Sequence, residues 1–294
     1  MNQPRPTHRA VPAAKPITAG SLGWLLDDRP GEPAADPEAI KGCCAAAYGL
    51  DLVGLFLGDS YHPGGPTLTR RLAGATELRP GQEVLDLACG VGTTAGLLAQ
   101  ERGVKVTGVD LGTVQVDQAR TRASRLGLDK LLRFEVGDAE RLPVGDGRFD
   151  AVVCECAFCT FPDKRTAAAE ITRVLRPGGR VGITDVWLEP DRLEPDLAGI
   201  AGRIACIADA QPIARTRDLF ASSGFQITTT ERHDQALADM IEQIRARLTA
   251  VKILGFSGLD RTILNRAITL AGKAADVVAR GDAGYFLMVA ARTP

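Results

Sequence analysis

Short apolar runs alternate with stretches of helical periodicity from residue 83 to the end of the chain. Seven apolar runs predict strands at 83–88, 104–109, 132–136, 150–155, 180–187, 225–231 and 284–291. Apolar residues at helical spacing predict helices at 93–102, 112–126, 163–175 and 213–223. Strands and helices that alternate in this way predict an α/β fold, with a parallel sheet covered by helices on both faces.

The segments outside this alternation suggest how the chain is organised. Residues 1–36 are rich in Pro, Ala and Arg without a sustained period, which predicts a disordered tail. Residues 37–82 carry helical patterns and predict a helical N-terminal cap. Residues 83–294 then form the main domain, with insertions at 188–212 and 235–280, the second of them helical. Insertions at such positions usually cover or line a site.

A glycine turn joins the first predicted strand to the first helix of the alternation. Gly90 and Gly92 stand two positions apart, directly before the helical stretch that begins at Thr93. Such a turn lets backbone N–H groups approach a polar ligand at a helix N-terminus, and a Cβ would obstruct it. Asp110 ends the second strand, where a carboxylate can accept hydrogen bonds from ribose hydroxyls. These features predict a nucleotide-like ligand. By themselves they are compatible with an enzyme that binds a nicotinamide cofactor.

Further segments argue against a nicotinamide-dependent enzyme and indicate a different family. The turn reads Asp86-x-Ala-x-Gly-x-Gly without a third glycine, Asp138-Ala139 follows the third strand, and Arg176-Pro177-Gly178-Gly179 precedes the fifth. In this order and spacing, residues 83–187 resemble the class I S-adenosylmethionine-dependent methyltransferases. The resemblance implies a Rossmann-like seven-stranded methyltransferase sheet and S-adenosyl-L-methionine as cofactor.

The resemblance also implies a set of cofactor-binding residues. It places Asp86, Ala88, Gly90 and Gly92 around the methionine part, Asp110 on the ribose hydroxyls, and Leu111, Asp138 and Ala139 around the adenine. We add Cys154, near the end of the fourth strand, to this set. Ala88 departs from the family, which more often has Gly at that position.

Three of the seven cysteines cluster at the carboxyl end of the fourth strand, where α/β sheets hold their ligands. They are Cys154, Cys156 and Cys159. Because Cys154 and Cys156 are two residues apart, they are expected on the same face of the strand. Thiolates form a soft donor set suited to a soft metal or metalloid. The alternative is that these cysteines are small buried apolar residues.

The stretch from Cys156 to Lys164, read with Ile183-Thr184-Asp185-Val186, resembles the arsenite methyltransferases. That resemblance implies that Cys156 and Cys206 bind trivalent arsenic, and the pair Cys43-Cys44 matches loosely an upstream cysteine pair of the family. The candidate catalytic residues are Cys156, Cys206, Cys44 and Cys159. Glu155 stands where the family usually has Asn, which fits a sister group with a different substrate.

Composition and charge limit the other classes of function. The net charge is −1 and no basic block occurs, so a nucleic-acid partner is not expected. No apolar run is long enough to span a membrane and no signal peptide opens the chain, which predicts a cytoplasmic protein with free thiols. The sequence does not indicate an oligomeric state, and we expect no resident metal ion.

We therefore expect a methyltransferase that acts on a small acceptor. The first candidate is trivalent arsenic or a related thiophilic species held by cysteines. The alternative is O-, C- or N-methylation of an organic small molecule, with structural cysteines. A non-enzymatic accessory role rests only on the absence of an obvious general base. Tyr61 and His62 fall in a glycine-rich loop that could fold over the cofactor or simply cap the loop.

Overall fold

A computed structural model describes residues 36–48, 61–199, 202–203, 205–254 and 261–293. Almost all of the predicted disordered tail lies outside these residues, as do the side chains of Cys43 and Cys44. In the described ranges, no helix is long and apolar enough to cross a membrane.

The strands lie where the apolar runs predict them, with ends shifted by a few residues. They are β1 (Glu83–Leu87), β2 (Lys105–Asp110), β3 (Leu132–Val136), β4 (Phe149–Glu155), β5 (Leu175–Leu188), β6 (Phe225–Arg232) and β7 (Ala283–Arg292). They form one sheet in the order β3-β2-β1-β4-β5-β7-β6. This confirms the predicted Rossmann-like fold, with helices on both faces of the sheet.

The sheet is mixed, which corrects the expectation of a parallel sheet. Strand β7 lies between β5 and β6 and runs antiparallel to both. The physical reason lies in the insertion before it, which forms two long helices that pack against each other. This helical hairpin returns the chain to the edge of the sheet where β6 ends, so β7 must start there and run in the opposite direction.

The helices follow the predicted periodicity. They are α1 (Pro37–Tyr48), α2 (Gly65–Ala75), α3 (Thr93–Arg102), α4 (Thr113–Arg125), α5 (Lys164–Val174), α6 (Ile213–Ser222), α7 (Asp234–Leu254) and α8 (Arg261–Ala279). Helices α1 and α2 fall in the segment predicted as the N-terminal cap, and α7 and α8 fill the predicted helical insertion.

Each face of the sheet carries its own apolar layer. Neighbouring residues of β1 alternate between the layers, with Val84 in one and Leu85 in the other, and both are fully buried. A strand buried on both faces is apolar at nearly every position, which explains the continuous apolar runs of the sequence. Strand β1 has a charged residue at its start, Glu83, and one in its buried part, Asp86, which is 2% exposed.

Candidate active site

A cleft opens at the carboxyl ends of β1, β2 and β4. Strand β1 pairs with β2 on one side and β4 on the other, so the strand order reverses here, which is where open α/β sheets bind ligands. Most of the predicted cofactor residues line this cleft: Asp86, Ala88, Gly90, Asp110, Leu111, Asp138 and Ala139. The fold thus brings together side chains that are far apart in the sequence.

Left-handed backbone shapes the turn after β1. Ala88, Gly90 and Gly92 have φ values of 58°, 51° and 74°. A Cβ on Gly92 would lie 2.9 Å from Cζ of Phe134, so this glycine is needed for packing behind the cleft. A Cβ on Gly90 would meet nothing within 4 Å, and Gly90 itself lines the cleft. Gly90 therefore leaves space that a ligand can fill.

The Asp110 carboxylate joins two loops of the cleft. Its Oδ2 accepts a hydrogen bond from the Gly90 backbone N–H at 2.8 Å, and its Oδ1 accepts one from Gly112 at 2.8 Å. Burial raises the pKa of Asp110, while these two hydrogen bonds oppose that rise. The carboxylate at the end of β2 thus holds the glycine turn in position.

Two side-chain oxygen atoms at the turn are buried. Within the described part of the chain, Oδ2 of Asp86 and Oγ1 of Thr93 are buried without a hydrogen-bond partner. Asp86 accepts a hydrogen bond from the Ala95 backbone N–H, but burial and the neighbouring Glu155 raise its pKa well above its usual value. A bound ammonium or other cation would satisfy this carboxylate and favour its ionised form.

The cleft as a whole is acidic. Asp86, Asp110, Asp138, Glu140 and Glu155 line it, and Lys41 is the single Lys or Arg among the described lining residues. S-adenosylmethionine carries a sulfonium and an ammonium against one carboxylate, so it has a net positive charge. The excess of carboxylates and the unpaired Asp86 oxygen therefore fit this cofactor.

Helix α1 is attached to the cleft at several points. Lys41 Nζ donates hydrogen bonds to Asp138 Oδ2 at 2.8 Å and to Glu140 Oε2 at 2.6 Å. Gln115 Nε2 donates to the Ala45 carbonyl at 2.7 Å. Sequence patterns gave no signal for Lys41, because its partners in the cleft lie 97 and 99 residues away along the chain.

Three of the predicted cysteines meet behind one end of the cleft. The Cys206 sulfur lies 3.3 Å from the Cys156 carbonyl oxygen and 3.6 Å from the Tyr48 hydroxyl, and it interacts electrostatically with the thiols of Cys156 and Cys159. We call Cys156, Cys159 and Cys206 the thiol cluster. Cys156 lines the cleft, whereas Cys159 and Cys206 are buried behind it.

The three thiols of the cluster differ in the direction in which their pKa values are shifted. Interactions with the thiols of Cys156 and Cys159 and with the Tyr48 hydroxyl lower the pKa of Cys206 well below its usual value, although burial opposes the change. The charge that this favours on Cys206, together with burial, raises the pKa of Cys156 and of Cys159. In its protonated form, the Cys206 thiol donates to the Cys156 carbonyl at 3.3 Å. The cluster is therefore suited to hold one thiolate and two thiols.

The thiol cluster, as far as the described residues show, is not arranged around a cation site. Among the described residues, no group of three or more His, Cys, Asp or Glu side chains is arranged to hold a metal ion. A thiophile that binds Cys206 must replace the hydrogen bond from that thiol to the Cys156 carbonyl with a bond to the sulfur.

Cys154 does not share a face with Cys156, so that prediction is wrong. Cys154 is fully buried in the apolar layer on the opposite face of the sheet, and it is not among the residues that line the cleft. The physical reason is that β4 ends at Glu155 and Cys156 adopts a left-handed φ of 54°, which breaks the alternation of the strand. Cys206 has a left-handed φ of 61° as well. The Cys44 side chain lies outside the described residues.

The sequence matches the protein-family model described as "Methyltransferase domain" over residues 85–183. That range runs from β1 to β5 and includes the glycine turn, Asp110, Asp138 and Cys156.

Several curated methyltransferases are similar to this chain. An O-methyltransferase of Penicillium expansum is 31% identical, covering 66% of this chain and 67% of the relative. The 27-O-demethylrifamycin SV methyltransferase of Amycolatopsis mediterranei is 40% identical over 42% of this chain, but less than half of that relative (45%) is matched. An arsenite methyltransferase of Halobacterium salinarum is 31% identical over 54% of this chain and 41% of the relative.

Solved structures share the fold at low sequence identity. The cyclopropane synthase MmaA2 of Mycobacterium tuberculosis superposes with a TM-score of 0.73 at 18% identity, covering 89% of this chain and 100% of that chain. A phosphoethanolamine N-methyltransferase of Haemonchus contortus, solved with S-adenosyl-L-methionine, gives a TM-score of 0.70 at 20% identity and covers 85% of this chain and 57% of that one. The curated relatives, together with the family match, show that the chain belongs to the S-adenosylmethionine-dependent methyltransferases.

Proposed function

We propose that the methyl acceptor is a small thiophilic species, with trivalent arsenic as the first candidate, held by the thiol cluster. The observation that carries this proposal is the meeting of Cys156, Cys159 and Cys206 beside the cofactor cleft. Three sulfur donors form a soft set that prefers soft metals and metalloids. The similarity to an arsenite methyltransferase supports the same assignment.

In this proposal the protein contributes mainly position and charge. The cofactor supplies a methyl group on a sulfonium, and methyl transfer is an in-line displacement that needs the acceptor held beside that group. Such positioning can account for roughly 7–11 kcal/mol of a reaction barrier. Cys206, whose pKa is lowered, provides a thiolate to bind the thiophile first, and Cys156 presents it at the wall of the cleft.

We also propose roles for the cleft residues toward the cofactor. Asp86, with its unpaired Oδ2, would receive the cofactor ammonium, and Gly90 would leave room for the methionine part. Asp110 would accept from the ribose hydroxyls, and Asp138 and Ala139 would lie at the adenine. Helix α1, through Lys41 and its partner Asp138, would act as a cap over this end of the cleft.

The Asp110→Ala variant should bind S-adenosylmethionine about 100-fold more weakly, because two charge-assisted hydrogen bonds of this kind together contribute roughly 3 kcal/mol. The change also leaves the N–H groups of Gly90 and Gly112 without their acceptor, so the turn loses its support. Isothermal titration calorimetry measures the affinity. Asp129→Ala, which removes an exposed carboxylate bonded only locally to Ser124, is the matched control and should leave the affinity unchanged. Equal affinity of the Asp110 variant and the wild type would contradict this role.

A second candidate function is methylation of an organic hydroxyl, carbon or amine. Burial raises the pKa of Cys156 and Cys159, which favours two neutral thiols that pack as small apolar groups. The relative matched over two thirds of its length is named an O-methyltransferase. In this case the thiol cluster would form one wall of an organic acceptor site.

An acceptor screen tests the two candidates against each other. The purified chain is incubated with S-adenosylmethionine and, separately, with arsenite, antimonite, a catechol, a phenol and a primary amine, and formation of S-adenosylhomocysteine is measured. Turnover with arsenite or antimonite that is lost in Cys156→Ser supports the first proposal. Turnover with an organic acceptor that survives Cys156→Ser supports the second and overturns the first.

A further inference from the structure

Helix α1 presents one face to the cleft. Lys41, Ala45 and Tyr48 all line the cleft, and they occupy positions i, i+4 and i+7 of this helix. Side chains at this spacing lie on one face, and at a rise of about 1.5 Å per residue Lys41 and Tyr48 are separated by roughly 10 Å along the axis. The helix therefore reaches two separate parts of the cleft with two different side chains.

The first of these side chains is held by carboxylates at the end of β3. Lys41 Nζ donates hydrogen bonds to Asp138 Oδ2 at 2.8 Å and to Glu140 Oε2 at 2.6 Å. It also donates to Glu38 on the same helix at 3.1 Å. The Lys41 side chain is only 10% exposed, so water screens these ion pairs less than pairs at the surface. Lys41 thus attaches α1 to the end of the cleft where we propose that the adenine lies.

The second side chain contacts the thiol cluster. The Tyr48 hydroxyl lies 3.6 Å from the Cys206 sulfur. The Tyr48 ring also packs against the ring of Tyr61, with 6.2 Å between the centroids, and Tyr61 itself lines the cleft. Since Tyr48 follows Lys41 by two helical turns, its position against Cys206 depends on where α1 docks.

Apolar packing contributes little to the docking of α1. Among the described side chains of this helix, Ile40 is only partly buried, and the fully buried residue is Ala47. An alanine methyl buries little apolar area, and a helix of this length is only marginally stable by itself. The ion pairs of Lys41, together with the hydrogen bond from Gln115 Nε2 to the Ala45 carbonyl at 2.7 Å, therefore carry most of the docking.

We propose that Lys41 is a positioning residue of this methyltransferase, which anchors α1 at the adenine end and thereby places Tyr48 against Cys206 at the acceptor end. Lys41 acts through the helix and does not touch the reacting atoms. A cofactor that fills the cleft beneath α1 favours the docked helix, and the docked helix completes the acceptor site, so the two ligands are coupled. The inference rests on the proposed function, since it assigns Cys206 to the acceptor.

Hydrogen–deuterium exchange tests the cofactor side of the proposal. The full chain is saturated with S-adenosylhomocysteine, and exchange of the backbone amides of residues 37–48 is followed by mass spectrometry. A charge-assisted hydrogen bond of this kind corresponds to about 10-fold or more in an equilibrium constant, so α1 should exchange about 10-fold faster in Lys41→Met. Methionine keeps the length of the side chain and removes its charge. Lys41→Arg restores the charge and should return the exchange close to the wild-type rate.

Arsenite binding tests the acceptor side. Isothermal titration calorimetry of the chain saturated with S-adenosylhomocysteine should show binding about 10-fold weaker in Lys41→Met. Tyr48→Phe keeps the ring and removes one hydrogen bond, so it should weaken binding by about 5-fold. Because Lys41 acts through Tyr48, the double variant should bind about 10-fold more weakly than the wild type, whereas independent effects would multiply to about 50-fold.

Lys105→Met is the matched control for the loss of a lysine charge. Lys105 forms an ion pair with Glu83 at 3.4 Å. The two residues begin β2 and β1, at the opposite end of these strands from the cleft. This variant should leave both the exchange of α1 and the affinity for arsenite unchanged.

The outcomes separate this inference from the proposed function. Faster exchange of α1 in Lys41→Met, its reversal in Lys41→Arg and a non-additive loss of arsenite binding support the proposal. Unchanged exchange of α1 in Lys41→Met, or losses of affinity that multiply in the double variant, overturn it while arsenite binding by the cluster stands. A wild-type chain that does not bind arsenite overturns the proposed function and the acceptor side of this inference, and the exchange result then decides by itself whether Lys41 anchors α1.

Discussion

Replacing Cys206 by serine is expected to weaken arsenite binding by about 1000-fold, since groups joined in one site raise affinity by roughly 10²–10⁴ over separate groups. Interactions with both other members of the thiol cluster lower the pKa of Cys206 well below the usual value. It is therefore the sulfur best prepared to attack a thiophile. A serine hydroxyl is a hard donor that does not ionise near neutral pH, so the first bond to the metalloid would be lost.

Isothermal titration calorimetry with arsenite measures this effect. Cys154→Ala is the matched control, because that thiol is buried on the opposite face of the sheet and should not contribute to binding. Cys156→Ser should weaken binding as well. If Cys206→Ser and Cys154→Ala bind arsenite as tightly as the wild type, the cluster does not hold the acceptor.

The second large expected effect is a pH dependence of the free energy of unfolding that is caused by Asp185. This carboxylate in β5 is 2% exposed, and burial, with the nearby Cys206, raises its pKa from 3.8 to about 7. Its oxygens accept hydrogen bonds from the backbone N–H groups of Cys159 at 2.6 Å and Val186 at 2.8 Å, which oppose the rise. Near neutral pH, the folded chain therefore holds this group partly protonated.

The sign of the pH dependence follows from the raised pKa. A group with a folded-state pKa above its unfolded value stabilises the fold fully below the unfolded pKa, and this contribution is lost as pH rises through the folded pKa. Between about pH 4 and pH 7, Asp185 should therefore reduce the free energy of unfolding progressively, by on the order of 4 kcal/mol at most for a shift of this size. An Asp185→Asn variant lacks this dependence.

Urea unfolding of both chains between pH 4 and pH 8 measures the difference. The stability of Asp185→Asn relative to the wild type should increase steadily with pH across this window. Asp163→Asn provides a control of opposite sign, because the hydrogen bonds from Thr166 lower the pKa of Asp163. That variant should lose relative stability with rising pH only below about pH 4, so its stability relative to the wild type should stay constant between pH 4 and pH 8. A difference for Asp185→Asn that does not vary with pH would contradict the assignment.

Most of the fold could be predicted because it depends on local patterns. A strand buried on both faces must be apolar throughout, and the glycine turn reveals itself by residues that tolerate left-handed backbone, such as Gly92. The direction of β7 could not be predicted in this way. It depends on how α7 and α8 pack against each other, and a hydrophobic period does not encode the direction of the next strand.

The candidate site likewise has a part that the sequence could predict and a part that it could not. The predicted cofactor residues lie at or just beyond strand ends, so a parallel arrangement of the strands brings Asp86, Asp110 and Asp138 to one cleft. The shared face of Cys154 and Cys156 was wrong because a single left-handed residue reverses the alternation. The hydrogen bond from the Tyr285 hydroxyl to Thr184 joins residues 101 positions apart, and no local pattern predicts it.

The left-handed backbone of Cys156 and Cys206 has a consequence for which substitutions evolution would favour at these positions. Cys156 and Cys206 are two of five described residues other than glycine with positive φ. A side chain in that conformation costs roughly 1 kcal/mol that glycine avoids. A selection for heat resistance alone would therefore favour glycine at both positions. If related proteins keep cysteine at these positions, selection for the thiol has outweighed the energetic cost of a side chain in left-handed backbone.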